Sequence, residues 1–147
     1  SEEFKKITVA EDGTITIPVA ACRSPKNGEK IKFMESIDGG MQVHYGLAGR
    51  RPELLSYTLD IPKAGKYEFS GHVCSVTMNQ EFLLRINRRT LVDVNIPYTK
   101  ADWMDTKPVE LELKEGRNRI SFTQKAPNKG LSIKGFKLKP VKETGGR

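Results

Sequence analysis

The chain of 147 residues has a single tryptophan, Trp103, which lies between two strand-like segments. One run of alternating residues ends at Ile96, a proline follows, and the next alternating run begins at Val109. A large amphipathic ring in such a loop either closes the end of a hydrophobic core or offers a flat surface to a ligand. Both interpretations stay open at this stage, and the second makes Trp103 the first candidate binding residue.

Residues able to carry acid–base or nucleophilic chemistry form no recognisable catalytic pattern. His44 and His72 are the two histidines, and neither lies near a nucleophile in a known motif. Asp102 and Asp105 flank Trp103, but carboxylates at this spacing are common in loops and make a weak acid–base pair. The sequence shows no phosphate-binding glycine loop and no metal-ligating cluster. We therefore predict that the protein is not an enzyme.

The formal net charge of +7 makes polyanions candidate partners. However, the basic residues are spread along the chain, so the alternative is that they solvate the outer faces of strands. No basic stripe is interleaved with several aromatic residues, which argues against nucleic acid. No apolar run is long enough to span a bilayer. We expect neither nucleic acid nor a membrane as a partner.

Two cysteines, Cys22 and Cys74, leave two redox states open. One disulfide would suit an extracellular protein, whereas two buried free thiols agree equally well with the spacing. Nothing at the N terminus resembles a signal peptide, which indicates a cytoplasmic protein or a chain that starts after processing. Ser1, in place of an initiator methionine, favours the second possibility.

Alternation of apolar and polar residues runs through the whole chain, and no segment shows a helical period over about ten residues. Turn-forming glycine and Asx residues separate the alternating runs at short intervals. The pattern predicts an all-β fold, an antiparallel β-sandwich of two packed sheets with about four to five strands each. We expect one domain over 1–140 and a C-terminal tail over 141–147. The clearest runs are Ile15–Val19, Ile31–Phe33, Tyr57–Ile61, Tyr67–Val73, Phe82–Ile86, Val92–Ile96, Val109–Leu113 and Ile120–Phe122.

The last predicted strand changes phase part-way along. Leu131 and Ile133 share one parity, while Phe136 and Leu138 share the other, with Gly135 between them. A β-bulge at Gly135 would bring all four apolar side chains to one face.

From Tyr57 onward, the order of motifs resembles the carbohydrate-binding modules of families 6 and 35. The matching elements are a Pro-x-x-Gly-x-Tyr turn at Pro62–Tyr67, a proline–threonine loop with a tryptophan at 96–103, and a Gly-x-Asn turn at Gly116–Asn118. A glycine-containing turn into a final aliphatic strand follows at Asn128–Ile133. The resemblance implies a jelly roll of the galactose-binding-like type.

The resemblance also implies a sugar site at one rim of the sandwich. A sugar ring presents an apolar C–H face and a rim of hydroxyls, so binding needs an aromatic platform and a few polar groups. The matching positions are Trp103 for the platform and Asn128 for a polar contact. We predict Tyr45 as a second ring, with Tyr98 as its substitute. In the alternative readings, Trp103 plugs the core, Tyr45 belongs to the core, and Asn128 is a plain turn residue.

Three basic residues would bias this site toward an acidic glycan, such as a uronate or a sulfated chain. Arg50 and Arg51 share a loop with nearby glycines, and Lys100 lies close to Trp103 in sequence. A guanidinium fork suits carboxylate or sulfate groups. The alternative is that all three are solvated loop charges.

Modules of these families hold a structural calcium ion in part through an aspartate after the isoleucine of the last strand. Lys134 stands at that position here. An ammonium group cannot ligate Ca²⁺, which takes roughly six to eight oxygen ligands. We predict no cofactor, and we expect Lys134 to replace the ion by pairing with acidic residues such as Glu11 or Glu35.

The resemblance implies the function of a non-catalytic carbohydrate-binding module, with a polysaccharide or oligosaccharide as its partner. Such a module would attach the catalytic domain of a larger protein to its substrate and raise the local substrate concentration. This function implies a secreted protein, extracellular or periplasmic. The alternative is a jelly-roll domain of a larger extracellular protein that serves structure or protein contacts without binding sugar.

Overall fold

The computed structural model describes residues 2–23, 26–28, 30–45, 55–78, 80–124 and 130–142. Those ranges contain twelve β-strands and two short 3₁₀ helices, and neither helix has the length and apolarity needed to cross a membrane. The helices are Glu2–Lys5 and Val19–Ala21, and the strands are β1 (Thr8–Val9), β2 (Ile15–Pro18), β3 (Ile31–Glu35), β4 (Met41–Tyr45), β5 (Leu55–Ile61), β6 (Gly65–Ser75), β7 (Gln80–Ile86), β8 (Thr90–Ile96), β9 (Met104–Asp105), β10 (Val109–Leu113), β11 (Gly116–Gln124) and β12 (Leu131–Pro140).

The larger sheet has eight strands and is built around the antiparallel pair β6 and β12. On the far side of β12 lie β2 and β4, which carry β1 and β3 on their outer edges. On the far side of β6 lie β9 and β10. A line across the sheet through β1, β2, β12, β6 and β10 thus crosses five strands, because several short strands share one row.

The smaller sheet has four antiparallel strands in the order β5-β11-β7-β8. Alternate residues of both sheets meet in one core, where the rings of Phe122 and Phe136 stack with centroids 4.4 Å apart and an angle of 6°. Tyr57 packs edge-on against both rings, and its hydroxyl donates a hydrogen bond to the Val19 carbonyl oxygen at 2.7 Å. These observations confirm the predicted antiparallel sandwich.

The predicted bulge in the last strand is present. The pairing of β12 with β6 shifts register between Ile133 and Gly135. As a result, Ile133 and Phe136 both face the core, although their spacing is odd. Glycine is required at this position because a Cβ atom on Gly135 would lie 2.6 Å from the carbonyl oxygen of Ile17 on the neighbouring strand β2.

The first predicted strand is one residue too long. β2 ends at Pro18, which has the extended backbone of a helix N-cap, and Val19 starts the second 3₁₀ helix. No disulfide joins the two cysteines; Cys22 is buried, and Cys74 is half-buried on the outer side of β6. Of the two redox states that the spacing allows, the structure has the unbonded one.

Candidate functional site

The loop between β8 and β10 carries Trp103 and is fastened to β6 at two points. At the first point, the Thr99 hydroxyl accepts a hydrogen bond from the Ser75 N–H at 2.8 Å and donates one to the Ser75 carbonyl at 3.2 Å. At the second, the Thr106 hydroxyl accepts from the Gly71 N–H at 2.8 Å, and the Thr106 N–H donates to the Gly71 carbonyl. Both threonines are buried. The tryptophan is thereby held over β6 from two fixed ends.

Trp103 lies across the outer face of the larger sheet. Its indole stacks on the imidazole of His72, with centroids 5.7 Å apart and an interplanar angle of 16°. The Nζ atom of Lys134 lies 4.9 Å from the indole centroid. The side chains of His72, on β6, and Lys134, on the adjacent strand β12, project from the same outer face. The indole rests on these two side chains, so its exposed part is turned away from the sheet.

Each of the two residues beneath the indole has an acidic partner. The Nδ1 atom of His72 is 2.8 Å from Oδ1 of Asp105, and Nζ of Lys134 donates to Oδ1 of Asp38 at 2.5 Å. The Ser36 hydroxyl also donates to Oδ1 of Asp38, at 2.7 Å. The hydrogen bonds from Lys134 and Ser36 lower the pKa of Asp38 to about 2.

The partner of Lys134 is thus neither Glu11 nor Glu35, and that part of the prediction is wrong. Asp38 lies in the turn between β3 and β4, and β4 pairs with β12 up to Ile133. This pairing brings the turn beside Lys134. Glu35 belongs to β3, which β4 separates from β12, and Glu11 lies in the β1–β2 turn near the other end of β12.

A groove of about 400 Å³ on the same outer face is lined in part by His72 and Lys134, the two side chains that contact the Trp103 indole. Its lining includes Gly135 at the bulge, Phe4 of the first 3₁₀ helix, and the turn residues Gly39 and Gly40. Its volume falls within the range of ligand pockets, roughly 300–1,000 Å³. The polar side chains along it are Thr16, Ser70, His72, Asp105, Lys134 and Lys137.

Lys137 supplies the groove with a positive charge. On β12 it lies between Thr16 of β2 and Ser70 of β6 in the register of the sheet. Its side chain is exposed, and it forms no ion pair with any residue that the structure describes. Among the described residues, the groove therefore combines the hydroxyl groups of Thr16 and Ser70 with an ammonium group at Lys137 that has no acidic partner.

Four of the seven predicted site residues, Trp103, Tyr98, Lys100 and Tyr45, lie in the described ranges. Trp103 is half-buried and lies outside the core, which removes the interpretation of a core plug. Tyr98 and Lys100 are exposed in the same loop, Tyr98 with 46% of its surface accessible. The other three, Arg50, Arg51 and Asn128, lie outside the described residues.

The prediction of Tyr45 as a second ring is wrong. Tyr45 is 0% exposed on β4 and packs edge-on against Phe82 of the smaller sheet at 5.5 Å. A ring without accessible surface cannot stack on a sugar. Tyr45 lies two residues after buried Val43 on the same strand, and this alternation favours the interpretation of Tyr45 as a core residue.

Most of this chain resembles known proteins in its structure. Neither a protein-family model nor a curated protein sequence matches it. Solved structures do match, among them the C-terminal family 6 module of the laminarinase LamC from Zobellia galactanivorans (TM-score 0.69, 17% identity, 86% of this chain and 98% of that one). Another is the family 6 module of Cellvibrio mixtus lichenase 5A in complex with cellotriose (TM-score 0.66, 19% identity, 86% and 97%). A third is a family 35 module from Clostridium thermocellum (TM-score 0.63, 18% identity, 92% and 98%).

The fold is that of the family 6 and family 35 carbohydrate-binding modules. The resemblance inferred from motif order is thereby confirmed at the level of the fold. At identities of 17–19%, these matches show a shared fold, and they do not show the ligand or the residues that bind it.

The six polar residues that line the groove were not among the predicted ligand-binding residues. They are Thr16, Ser70, His72, Asp105, Lys134 and Lys137, and Lys134 also contacts the indole. The alternation of His72 and Lys137 with apolar neighbours could have predicted that both side chains face outward, since those neighbours are buried. Parity indicates that a side chain faces outward, but it does not identify which other side chains it meets.

The residues around Lys134 do not fit the calcium ion that the resemblance implies. Within the described ranges, no group of three or more His, Cys, Asp or Glu side chains could hold a metal ion. Beside Lys134 the carboxylate of Asp38 is already bound by an ammonium group, which repels a divalent cation. The charge at this position is supplied by the protein itself.

Proposed function

We propose that the chain is a non-catalytic carbohydrate-binding module that binds polysaccharide through Trp103 and the adjoining groove. The observation that carries the proposal is the partly exposed indole beside a groove of about 400 Å³, on a fold shared with such modules. The loop is held by buried hydrogen bonds at both ends, so the ring is already ordered before a ligand arrives. A preorganised surface lowers the entropic cost of binding.

The groove and the ring supply the two kinds of contact that a sugar needs. The exposed part of the Trp103 indole offers an apolar surface to the C–H face of a sugar ring. The hydroxyls of Thr16 and Ser70 can donate and accept hydrogen bonds with the sugar's own hydroxyls. Asp105, which is exposed and paired with His72, adds an acceptor at the end nearest the indole.

Binding to a glycan array or an affinity gel tests this function with three variants. We expect Trp103→Ala to weaken retention at least about tenfold, which corresponds to about 1.4 kcal/mol. Trp103→Phe keeps a flat ring and retains most of the affinity. Leu91→Ala removes an exposed apolar side chain from β8 in the smaller sheet and serves as the matched control.

Two outcomes of this experiment contradict the proposed function. In the first, the wild-type protein is retained by no glycan. In the second, Trp103→Ala and Leu91→Ala bind equally well. Either result favours the alternative of a jelly-roll domain that serves structure or protein contacts.

The finer part of the proposal is that the glycan is acidic, with uronate or sulfate groups. Lys137 in the groove is free of an acidic partner within the described residues, and Lys100 is exposed in the Trp103 loop. An anionic group on the sugar would find both an ammonium group and hydroxyl donors near the indole. Arg50 and Arg51, predicted to contribute, lie outside the described residues.

The proposed function also implies a parent protein and a location for it. A module of this kind would attach a catalytic domain of a larger protein to polysaccharide and raise the local concentration of substrate. We propose that the polysaccharide is extracellular, in which case the protein would act in the extracellular space or the periplasm. Fractionation of cells followed by detection of the protein would test this location, and recovery in the cytoplasm alone would contradict it.

A further inference from the structure

We propose that Lys134 is a positioning residue, which holds the Trp103 indole over the sheet and joins it to the turn between β3 and β4. Its ammonium group makes both contacts, a hydrogen bond of 2.5 Å to Asp38 and an approach of 4.9 Å to the indole centroid. One charged group thereby connects three segments that are distant in sequence. The purpose of this arrangement rests on the proposed function, whereas the contacts themselves do not.

The burial of the two charged partners indicates how the contact works. The Lys134 side chain is 19% exposed, while that of Asp38 is 60% exposed. The ammonium group is partly removed from water beneath the indole, and there its attraction to the negative face of an aromatic ring is stronger than at an open surface. Asp38, which also accepts from Ser36, fixes the direction of the ammonium group. The position of Trp103 accordingly depends on both members of the ion pair.

The bulge makes room for this arrangement. Lys134 and Gly135 both avoid the core because the register shifts between Ile133 and Gly135. Gly135 is the cross-strand neighbour of His72 and has no side chain. Nothing from that position stands between Lys134 and His72, so the indole can rest on both at once.

With Lys134 in this role, the protein should not need a divalent metal ion to hold the Trp103 ring. In a site where the resemblance implies a calcium ion, an internal ammonium group supplies the positive charge. The ring position should then be independent of divalent metal and dependent on Lys134. These two expectations can be measured separately.

The emission of Trp103 reports on this contact directly, because the chain has no other tryptophan. Lys134→Met and Asp38→Asn are compared with the wild type by acrylamide quenching, without any glycan present. We expect the quenching constant to rise roughly twofold in both variants, because Lys134→Met removes the cation beneath the ring and Asp38→Asn removes the carboxylate that directs it. Lys134→Arg preserves the charge and the contact with the ring, and it should restore the wild-type value. Lys139→Met, on the same strand and the same outer face, is the matched control.

Melting curves and far-ultraviolet circular dichroism of each variant distinguish a displaced ring from an unfolded chain. Unchanged quenching in folded Lys134→Met overturns the inference, as does an equal rise in Lys139→Met. Adding millimolar Ca²⁺ to the wild type should leave its melting temperature unchanged, and a clear rise would show a metal site and overturn the inference. If the variants alter emission while the wild type binds no glycan, the proposed function fails and this inference stands.

Discussion

At the scale of single residues, Trp103 is ordered by charged and polar neighbours rather than by burial in the core. His72 stacks on the indole, Lys134 approaches it, and each of these residues has a carboxylate partner. Hydrogen bonds to a charged group are stronger than those between neutral groups, which favours a defined geometry on an otherwise open surface. The same dependence on charge makes the ring position sensitive to pH.

Acid should release the contact between Lys134 and Asp38. The pKa of Asp38 is about 2 in the folded protein against an ordinary value of 3.8, so the pair contributes its full stabilisation above pH 3.8. That stabilisation is lost as the pH falls from 3.8 through about 2. We expect a step in Trp103 emission with its midpoint at a pH of about 2 in the wild type, and no such step in Asp38→Asn.

Circular dichroism recorded over the same pH range provides the control, since the step must precede or be separable from acid unfolding. A midpoint at or above pH 3.8 would show that Asp38 is not stabilised as a carboxylate by Lys134.

At the scale of elements, the loop between β8 and β10 depends on two buried threonines. Thr99 satisfies both backbone groups of Ser75, and Thr106 does the same for Gly71, on either side of the short strand β9. β6 therefore keeps its outer edge paired where a regular strand is absent. This anchoring converts a long connection into a rigid support for the ring.

Replacing threonine by valine should have opposite effects at two positions. Thr99→Val removes a buried hydroxyl that bonds to the Ser75 backbone, and we expect the free energy of unfolding to fall by about 1–3 kcal/mol. Thr123→Val removes a buried hydroxyl on β11 that has no hydrogen-bond partner among the described residues. Here we expect a rise of about 1 kcal/mol, because no hydrogen bond is lost and a desolvated group disappears.

Urea denaturation of both variants measures the two changes, and the two substitutions are chemically identical, so each is the control for the other. Equal destabilisation by both substitutions would contradict the role given to Thr99. Trp103 emission should also change in Thr99→Val and stay constant in Thr123→Val.

At the scale of the whole molecule, a net charge of +7 is combined with an ion pair that neutralises Lys134. Lys134 is paired, whereas Lys137, close to it along β12 in the same groove, has no acidic partner in the described ranges. Long-range attraction from the net charge and short-range contact at Lys137 would both favour a polyanion. The two contributions respond differently to mutation.

Affinity for an acidic polysaccharide should fall as salt rises, because the screening length shortens to about 10 Å at 0.1 M. Lys137→Gln should weaken binding a few fold, or by up to about 1 kcal/mol, and reduce the slope with salt. Arg85→Gln removes an exposed charge from β7 in the smaller sheet and should change binding much less. Affinity electrophoresis in gels with acidic or neutral polysaccharide measures both quantities. Tight, salt-independent binding to the neutral polymer alone would contradict the acidic ligand.

Much of the fold can be predicted from the sequence because alternation is a local property. Each strand has two faces, so the positions of Tyr57 and Leu59 show at once which side enters the core. The bulge at Gly135 follows from the same reasoning, since only an extra residue reconciles Ile133 with Phe136. The order of the motifs then predicts the sandwich to which these strands belong.

Only the tertiary structure decides which outward side chains meet. Asp38 and Lys134 are 96 positions apart, and His72 and Asp105 are 33 apart, so no local pattern connects them. Their contacts depend on the order of strands in the sheet and on which turn lies beside which strand. The sequence alone determined that Trp103 lies in a loop between two strands of a β-sandwich, and the rim position was implied only by the family resemblance. The packing of β4, β12 and β6 decided that its indole lies on His72 and Lys134 with part of its surface open to solvent.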